Sequence, residues 1–302
     1  MHISTVLVSR KVQVKSENSG IIIVSLYVDD IVYTGNSPQI LEEFRKDVMK
    51  HYEMTDLGLL HHFLGMGILQ TEKSIFIHQK KYAQKLIEKF GLKDCKAVAT
   101  PLAMNERLSK IDGSEAANEG EYRQIVGSLL YLTATRPDVM FAASLLARFM
   151  HNPTKKHLGT AKRVLRYIQG TLDFGIEFIK GKTTTLIDYC DSDWAGSEDD
   201  MRSTSGYAFT LGSGVFSWAS IKQNIVALST AKAKYVSAAK AISQAKWLRE
   251  AIQVKEIELI YCKTEDQIAY ILTKALFKDR FVYLRELLGV KSTKGLEGSV
   301  DV

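Results

Sequence analysis

The sequence predicts a mixed chain of α/β and α+β character in at least two domains, and three observations predict it. An apolar strand, tight acidic turn and returning strand open the readable pattern, from Ile21 to Gly35. A long stretch of helical periodicity occupies the middle, from Tyr122 to Gly170. From Thr183 on, short β-branched strands return and lead into one long helix, an order that marks a second α/β domain. The 302 residues, 46% of them hydrophobic, suffice for two domains of roughly 150 residues. Cores of that size need neither disulfides nor a structural metal.

The elements follow in order. Ser37-Pro38 gives an N-cap and a first-turn proline to a helix whose Ile40, Leu41, Phe44 and Val48 recur at helical spacing. Phe63 to Ile77 reads as a hairpin broken by Gly65 and Gly67, and a helix from Gln79 to Phe90 ends at Gly91. Residues 103–120 lack periodicity and read as a surface linker. Pro137 and Pro153 divide the central helical stretch into about three helices. Strands are expected at Thr185–Asp191, Tyr207–Leu211, Val215–Ala219 and Ile225–Leu228, then a helix from about Thr230 to Ile252. A strand at Ile257–Tyr261 and helices near 265–275 and 279–288 complete the pattern.

Composition narrows the function. The formal net charge of +6 favours an acidic partner, of which nucleic acid is the commonest. Cys95, Cys190 and Cys262 lie far apart, so neither a disulfide framework nor a zinc site is expected. The best apolar run, Ile21 to Val28, is far short of a membrane span, and no signal peptide opens the chain. An intracellular protein, cytoplasmic or nuclear and not secreted, is therefore expected. Asp173-Phe174-Gly175 spells a kinase tripeptide, but no glycine-rich phosphate loop accompanies it.

Tyr27-Val28-Asp29-Asp30 is the sharpest local signal. Adjacent carboxylates at the tip of an apolar hairpin repel one another and are costly to bury without cations. A divalent ion resolves that conflict, although an acidic turn in water is the simpler alternative. The string resembles the YxDD motif of reverse transcriptases. Ile31-Val32-Tyr33-Thr34-Gly35-Asn36, Met54-Thr55-Asp56-Leu57-Gly58, His62-Phe63-Leu64-Gly65, Gln79-Lys80-Lys81-Tyr82-Ala83 and Thr100-Pro101-Leu102 follow in the order of copia-type retrotransposon Pol polyproteins. That resemblance implies a palm with Asp29 and Asp30 as Mg2+ ligands, and a primer-positioning role for the region of Phe63 and Gly65. It also implies a further metal-binding aspartate upstream, yet no Asp or Glu precedes Glu17.

The same resemblance continues through Tyr122–Leu132, Thr135-Arg136-Pro137-Asp138 and His157–Gly170, which are similar to the segment joining polymerase and RNase H regions. Here Leu158, Ala161, Leu165 and Ile168 should face a core, while Lys155, Lys162, Arg163 and Arg166 line a basic face. That face would either track a phosphate backbone or simply be solvated.

Leu186 to Gly196 resembles the first strand of an RNase H domain, with Asp191 as a metal carboxylate, and Arg202–Tyr207 and Ser217-Trp218 continue the pattern. Lys234 and Tyr270 stand where the family pattern carries acids. A lysine has no acceptor lone pair, and Lys234 is expected to pair with Asp191 and repel the metal. The passage from Trp247-Leu248-Arg249 almost directly to Ile257 leaves no room for a further strand with its aspartate, so a weakened C-terminal domain is expected.

The expectation is thus a truncated reverse-transcriptase palm and thumb remnant (1–105), a linker and connecting helices (106–182), an incomplete RNase H-like domain (183–290) and a tail (291–302). Weak or absent Mg2+ binding and loss of both family reactions are expected of this chain. Two alternatives stand beside it. One is a remnant that binds RNA–DNA hybrid or template-primer, or associates with an intact Pol. The other is a polymerase fragment active only when the missing upstream palm is supplied separately.

Overall fold

The computed structural model describes residues 12–17, 20–182, 186–252 and 262–294. The chain divides into two compact units, one ending at Leu64 and the other beginning at Gly65.

In the first unit, β1 (Val12–Glu17), β2 (Gly20–Tyr27) and β3 (Asp30–Gly35) form an antiparallel sheet in that order. Helix α1 (Pro38–His51) starts at Pro38 as the Ser37-Pro38 signal predicts. It lies on one face of the sheet, with Ile40 buried and Phe44 packed on Tyr33 at 5.2 Å between ring centroids. The Asn36 side chain accepts a hydrogen bond from Ile21 N at 2.7 Å and so ties the end of β3 to the start of β2. A two-residue strand, β4 (His62–Phe63), follows.

The second unit begins with the hairpin β5 (Met66–Gln70) and β6 (Ser74–His78), then α2 (Lys80–Lys89). Gly91, at φ +66°, takes the left-handed conformation that ends this helix. Helices α3 (Glu119–Leu132), α4 (Met140–Ala147) and α5 (Lys155–Gln169) fill the central stretch, broken at Pro137 and Pro153 as their missing N–H groups require. Strand β7 (Phe174–Ile179) pairs antiparallel with β6. Strands β8 (Leu186–Ser192), β9 (Thr204–Leu211) and β10 (Gly214–Lys222) form a separate antiparallel sheet in the order β10-β9-β8. The long helix α6 (Thr230–Ile252), a 3-10 segment (Ile268–Leu272), α7 (Lys278–Leu287) and β11 (Val290–Ser292) complete it. β11 pairs with β7, from Val290 opposite Ile176 to Ser292 opposite Phe174.

One buried cluster joins Leu86 of α2, Leu102, Leu108 of the supposed linker, Leu129 of α3, Leu165 of α5, Ala208 of β9 and Leu284 of α7. It therefore runs across both 105/106 and 182/183. On α5, Ala161, Leu165 and Ile168 are fully buried as their spacing predicts, and Leu158 packs at the edge of the cluster.

Two differences from the sequence reading have physical causes. Ile225–Leu228 is not a strand. β10 ends at Lys222, and the chain is turned there by Gln223, whose side chain donates to Ser205 Oγ at 3.0 Å and to Ala233 O at 2.9 Å. Among the described residues no strand pairs with 225–228, and Leu228 is 82% exposed. Strands β1, β7 and β11 were unforeseen, β11 because three residues are too few for any periodicity to register. Ile257–Tyr261 lies outside the described residues. The chain after it is firmly packed all the same, with Ala269, Leu272, Leu284, Leu288 and Val290 buried completely.

A histidine caps α5. His157, wholly buried and stacked on Phe149, accepts a hydrogen bond from Thr154 N at Nδ1, 2.9 Å, while the Thr154 hydroxyl faces His157 N in a capping box. Burial holds its pKa below the ordinary value of 6.5, despite the opposing pull of Asp112. The unfolded chain therefore binds this proton more readily than the folded one. The stability that neutral His157 contributes is full above about pH 6.5 and is lost as pH falls through the lower folded value. Thermal unfolding between pH 8 and 5 should show that loss, and His157→Gln, which keeps a capping acceptor, should flatten it.

Candidate functional site

The acidic hairpin is shaped by its register. Tyr27 pairs with Asp30, leaving Val28 and Asp29 as a two-residue turn. Val28 sits at φ +52°, unusual for a β-branched residue, and is 85% exposed. Asp29 and Asp30 are both exposed beside it. Phe63 is buried, and its ring meets that of Tyr27 edge-on at 6.2 Å, so it braces the base of the turn. Gly65, at φ +78°, opens the second unit, where a Cβ would collide with the Tyr131 hydroxyl.

Asp191 occupies a different environment. It lies on β8 opposite Gly206 of β9 and is 8% exposed. Because Gly206 has no side chain, the 3-10 segment approaches the sheet closely. A Cβ there would stand 2.8 Å from Thr273 Cγ2 and 2.9 Å from Leu272 Cβ. This approach lets Thr273 Oγ1 donate to Asp191 Oδ2 at 2.7 Å, and brings Lys274 Nζ to 3.5 Å from the same oxygen. Lys274 Nζ also rests 3.8 Å from the centroid of the Tyr270 ring. From α6, Ser237 Oγ donates to the backbone carbonyl of Asp191 at 2.6 Å and fixes the strand. Nearby Asp193 accepts from Thr204 N, and burial raises its carboxyl to about 6 against the opposing charges of Arg148 and Lys274.

The expectation for Lys234 is corrected. It is exposed on α6, and the cation that pairs with Asp191 is Lys274. Lys234 belongs to the exposed part of the first turns of α6, whereas Ala233 and Ser237 are the residues that turn inward. Tyr270 is a half-buried ring beneath the Lys274 ammonium.

The basic residues of α5 meet protein acceptors. Lys155 pairs with Glu115, and Lys162 with Glu121 at 2.9 Å. Arg163 donates to Thr100 Oγ1 at 3.2 Å, and Arg166 to the Lys96 carbonyl at 2.8 Å. The segment from Lys96 to Glu121 thus lies along the helix face that the sequence leaves open to phosphate or to water.

No group of three or more His, Cys, Asp or Glu side chains converges among the described residues in a way that could hold a metal. The donor set at Asp191 does not fit Mg2+ either. A hydroxyl and an ammonium already meet its Oδ2, and no cluster of three acidic, His or Cys side chains includes it among the described residues. No helix among the described residues is long and apolar enough to cross a membrane.

Comparison with known proteins gives the class first. Residues 5–104, which include the acidic hairpin, match the family model described as reverse transcriptase (RNA-dependent DNA polymerase). The chain is 36% identical to the retrovirus-related Pol polyprotein from transposon RE1 of Arabidopsis thaliana, over 90% of this chain and 19% of that protein. It is 34% identical to the corresponding polyprotein from transposon TNT 1-94 of Nicotiana tabacum, over 95% of this chain and 23% of that protein. The putative transposon Ty5-1 protein of Saccharomyces cerevisiae is 30% identical, over 76% of each chain. No solved structure matches significantly. The chain belongs to the family of copia-type retrotransposon Pol polyproteins, and it spans about a fifth of the length of the first two relatives.

Thr273 and Lys274 lie close after Tyr270 in sequence, but nothing in the sequence marks them as partners of Asp191. Neither is acidic, and a search for metal ligands passes over them.

Proposed function

We propose that this chain is a relic of a copia-type Pol polyprotein that performs neither RNA-directed DNA synthesis nor RNA–DNA hybrid cleavage by itself. Residues 1–105 are the partial palm and thumb, 106–182 the linker and connecting helices, 183–290 an RNase H-like segment shortened after Arg249, and 291–302 a tail. One observation carries the reading. Where two-metal hydrolysis needs a second carboxylate beside Asp191, this chain presents the Lys274 ammonium and the Tyr270 ring. At the hairpin, no third acidic side chain joins Asp29 and Asp30 among the described residues.

The purified chain, given Mg2+ and an RNA–DNA hybrid, should cleave no faster than its Asp191→Asn variant. Given template-primer, it should extend no faster than Asp29→Asn. Cleavage or extension that disappears in the matching variant would refute the proposal.

A second reading, nucleic-acid binding through α5, is favoured by the net charge of +6 and the exposure of Lys155. The contacts of Lys155, Lys162, Arg163 and Arg166 with residues 96–121 must first be broken for a phosphate to take their place, which makes that affinity weak. Template-primer, hybrid and an intact Pol remain the partners that such a surface would meet.

A further inference from the structure

We infer that Lys274 is a built-in counter-cation: its ammonium does for Asp191 the charge-balancing work of a divalent ion, and the Asp191–Thr273–Lys274 cluster is a metal-independent structural latch. The inference rests on reading Asp191 as an acid of the family's metal site, and goes beyond it by assigning the residue that balances its charge in this fold.

Three features of the geometry carry it. Asp191 is 8% exposed, so its charge requires a partner that moves with the fold rather than solvent ions. The partner is supplied twice on one oxygen, by the Thr273 hydroxyl at 2.7 Å and by Lys274 Nζ at 3.5 Å. Lys274 is in turn held from the other side by the Tyr270 ring, 3.8 Å from its ammonium. An aromatic face attracts a cation without competing for the carboxylate, so tyrosine at this position stabilises a lysine where an acid would have drawn a metal. Gly206 is the enabling element, since any side chain there would hold the 3-10 segment away from β8.

The latch joins β8 to the segment 268–274, two stretches far apart in sequence. A Mg2+ ion approaching Asp191 would meet a resident positive charge, and to reach Oδ2 it would have to displace a hydroxyl donor. Millimolar Mg2+ should therefore leave this site untouched.

The test uses the full chain. Thermal unfolding is measured for the unaltered protein, Asp191→Asn, Lys274→Met and the double variant, each with and without Mg2+. Each single variant is expected to lower the Tm, and the double variant to lose clearly less than the sum of the two single losses. Additive losses would overturn the proposal, as would a Mg2+-induced rise in Tm that Asp191→Asn abolishes. Because either variant could fail to fold, Mn2+ is also titrated into the unaltered protein and amide line broadening is followed by NMR. Unbroadened signals at Asp191, Thr273 and Lys274 support the latch, and selective broadening there overturns it. The cleavage assay above decides the relic reading independently, since a chain can lack nuclease activity whether or not Asp191 takes up an ion.

Discussion

Arg136→Met should remove about 3–5 kcal/mol from the stability of the unit beginning at Gly65, a large share of the margin of a typical domain. Arg136 is 1% exposed and binds Asp138 through two parallel hydrogen bonds, Nε to Oδ1 at 2.9 Å and Nη2 to Oδ2 at 2.8 Å. Its remaining donors reach the backbone and hydroxyl oxygens of Thr171, both at 2.8 Å. The Tyr167 hydroxyl donates to Asp138 at 2.6 Å, and the rings of Tyr167 and Phe174 flank the guanidinium. Burial alone would strip both charges. The pairing outweighs it, holding Arg136 above and Asp138 below their ordinary values. Methionine leaves an uncompensated carboxylate in the core, and that unpaired charge is the main loss. Adding Asp138→Leu should recover much of it, because replacing both partners by apolar groups spares the desolvation of either. Urea unfolding of the three proteins measures the effect. A loss below about 1 kcal/mol for Arg136→Met would show that the pair does not hold the unit together.

Gly206→Val should cost about 1–3 kcal/mol through overpacking and, more tellingly, detach the segment 268–274 from β8 and β9. The added Cβ meets Leu272, Thr273 and the Ala269 carbonyl at 2.8 to 3.1 Å, all belonging to a short 3-10 segment. Such a segment has less backbone hydrogen bonding to lose than the sheet, so the segment yields. Amide exchange should then quicken at Ala269–Lys274 while β8 and β9 stay protected. Equal quickening in the strands would mean that the whole sheet, rather than the latch, had given way.

Much of this molecule is legible in its sequence. The Ser37-Pro38 start, the Gly91 stop and the proline breaks act locally, so α1 starts at Pro38, α2 lies within a residue of its expected limits, and Pro137 and Pro153 fall between α3, α4 and α5. The apolar spacing of α5 likewise identifies which residues meet the core. What the chain does not announce is partnership across distance. Thr135-Arg136-Pro137-Asp138 reads as a family signature, and only the fold shows its arginine locked between Thr171 and Phe174. Lys234 was given the role that belongs to Lys274 because residues near one another in a motif are not thereby near one another in space. Glycine at 175 shows the same limit. It reads as part of a rejected kinase tripeptide, whereas in the fold a Cβ there would strike the Ile77 carbonyl and stand 2.8 Å from His78 Cβ. The basic face of α5 shows a related limit, since periodicity marks a polar face but not the Glu115, Glu121, Thr100 and Lys96 acceptors that its side chains meet.

The pairing of β11 with β7 has a consequence for synthesis on the ribosome. One edge of β7 takes β6, made long before it, but the other waits for Val290–Ser292, more than a hundred residues later. At roughly 5–20 residues per second, that wait is on the order of 10 s. Throughout it the nascent polypeptide carries an unzipped β edge open to any passing strand. Translation must pass Ser292 before the sheet begun by the earliest strands of this unit is sealed.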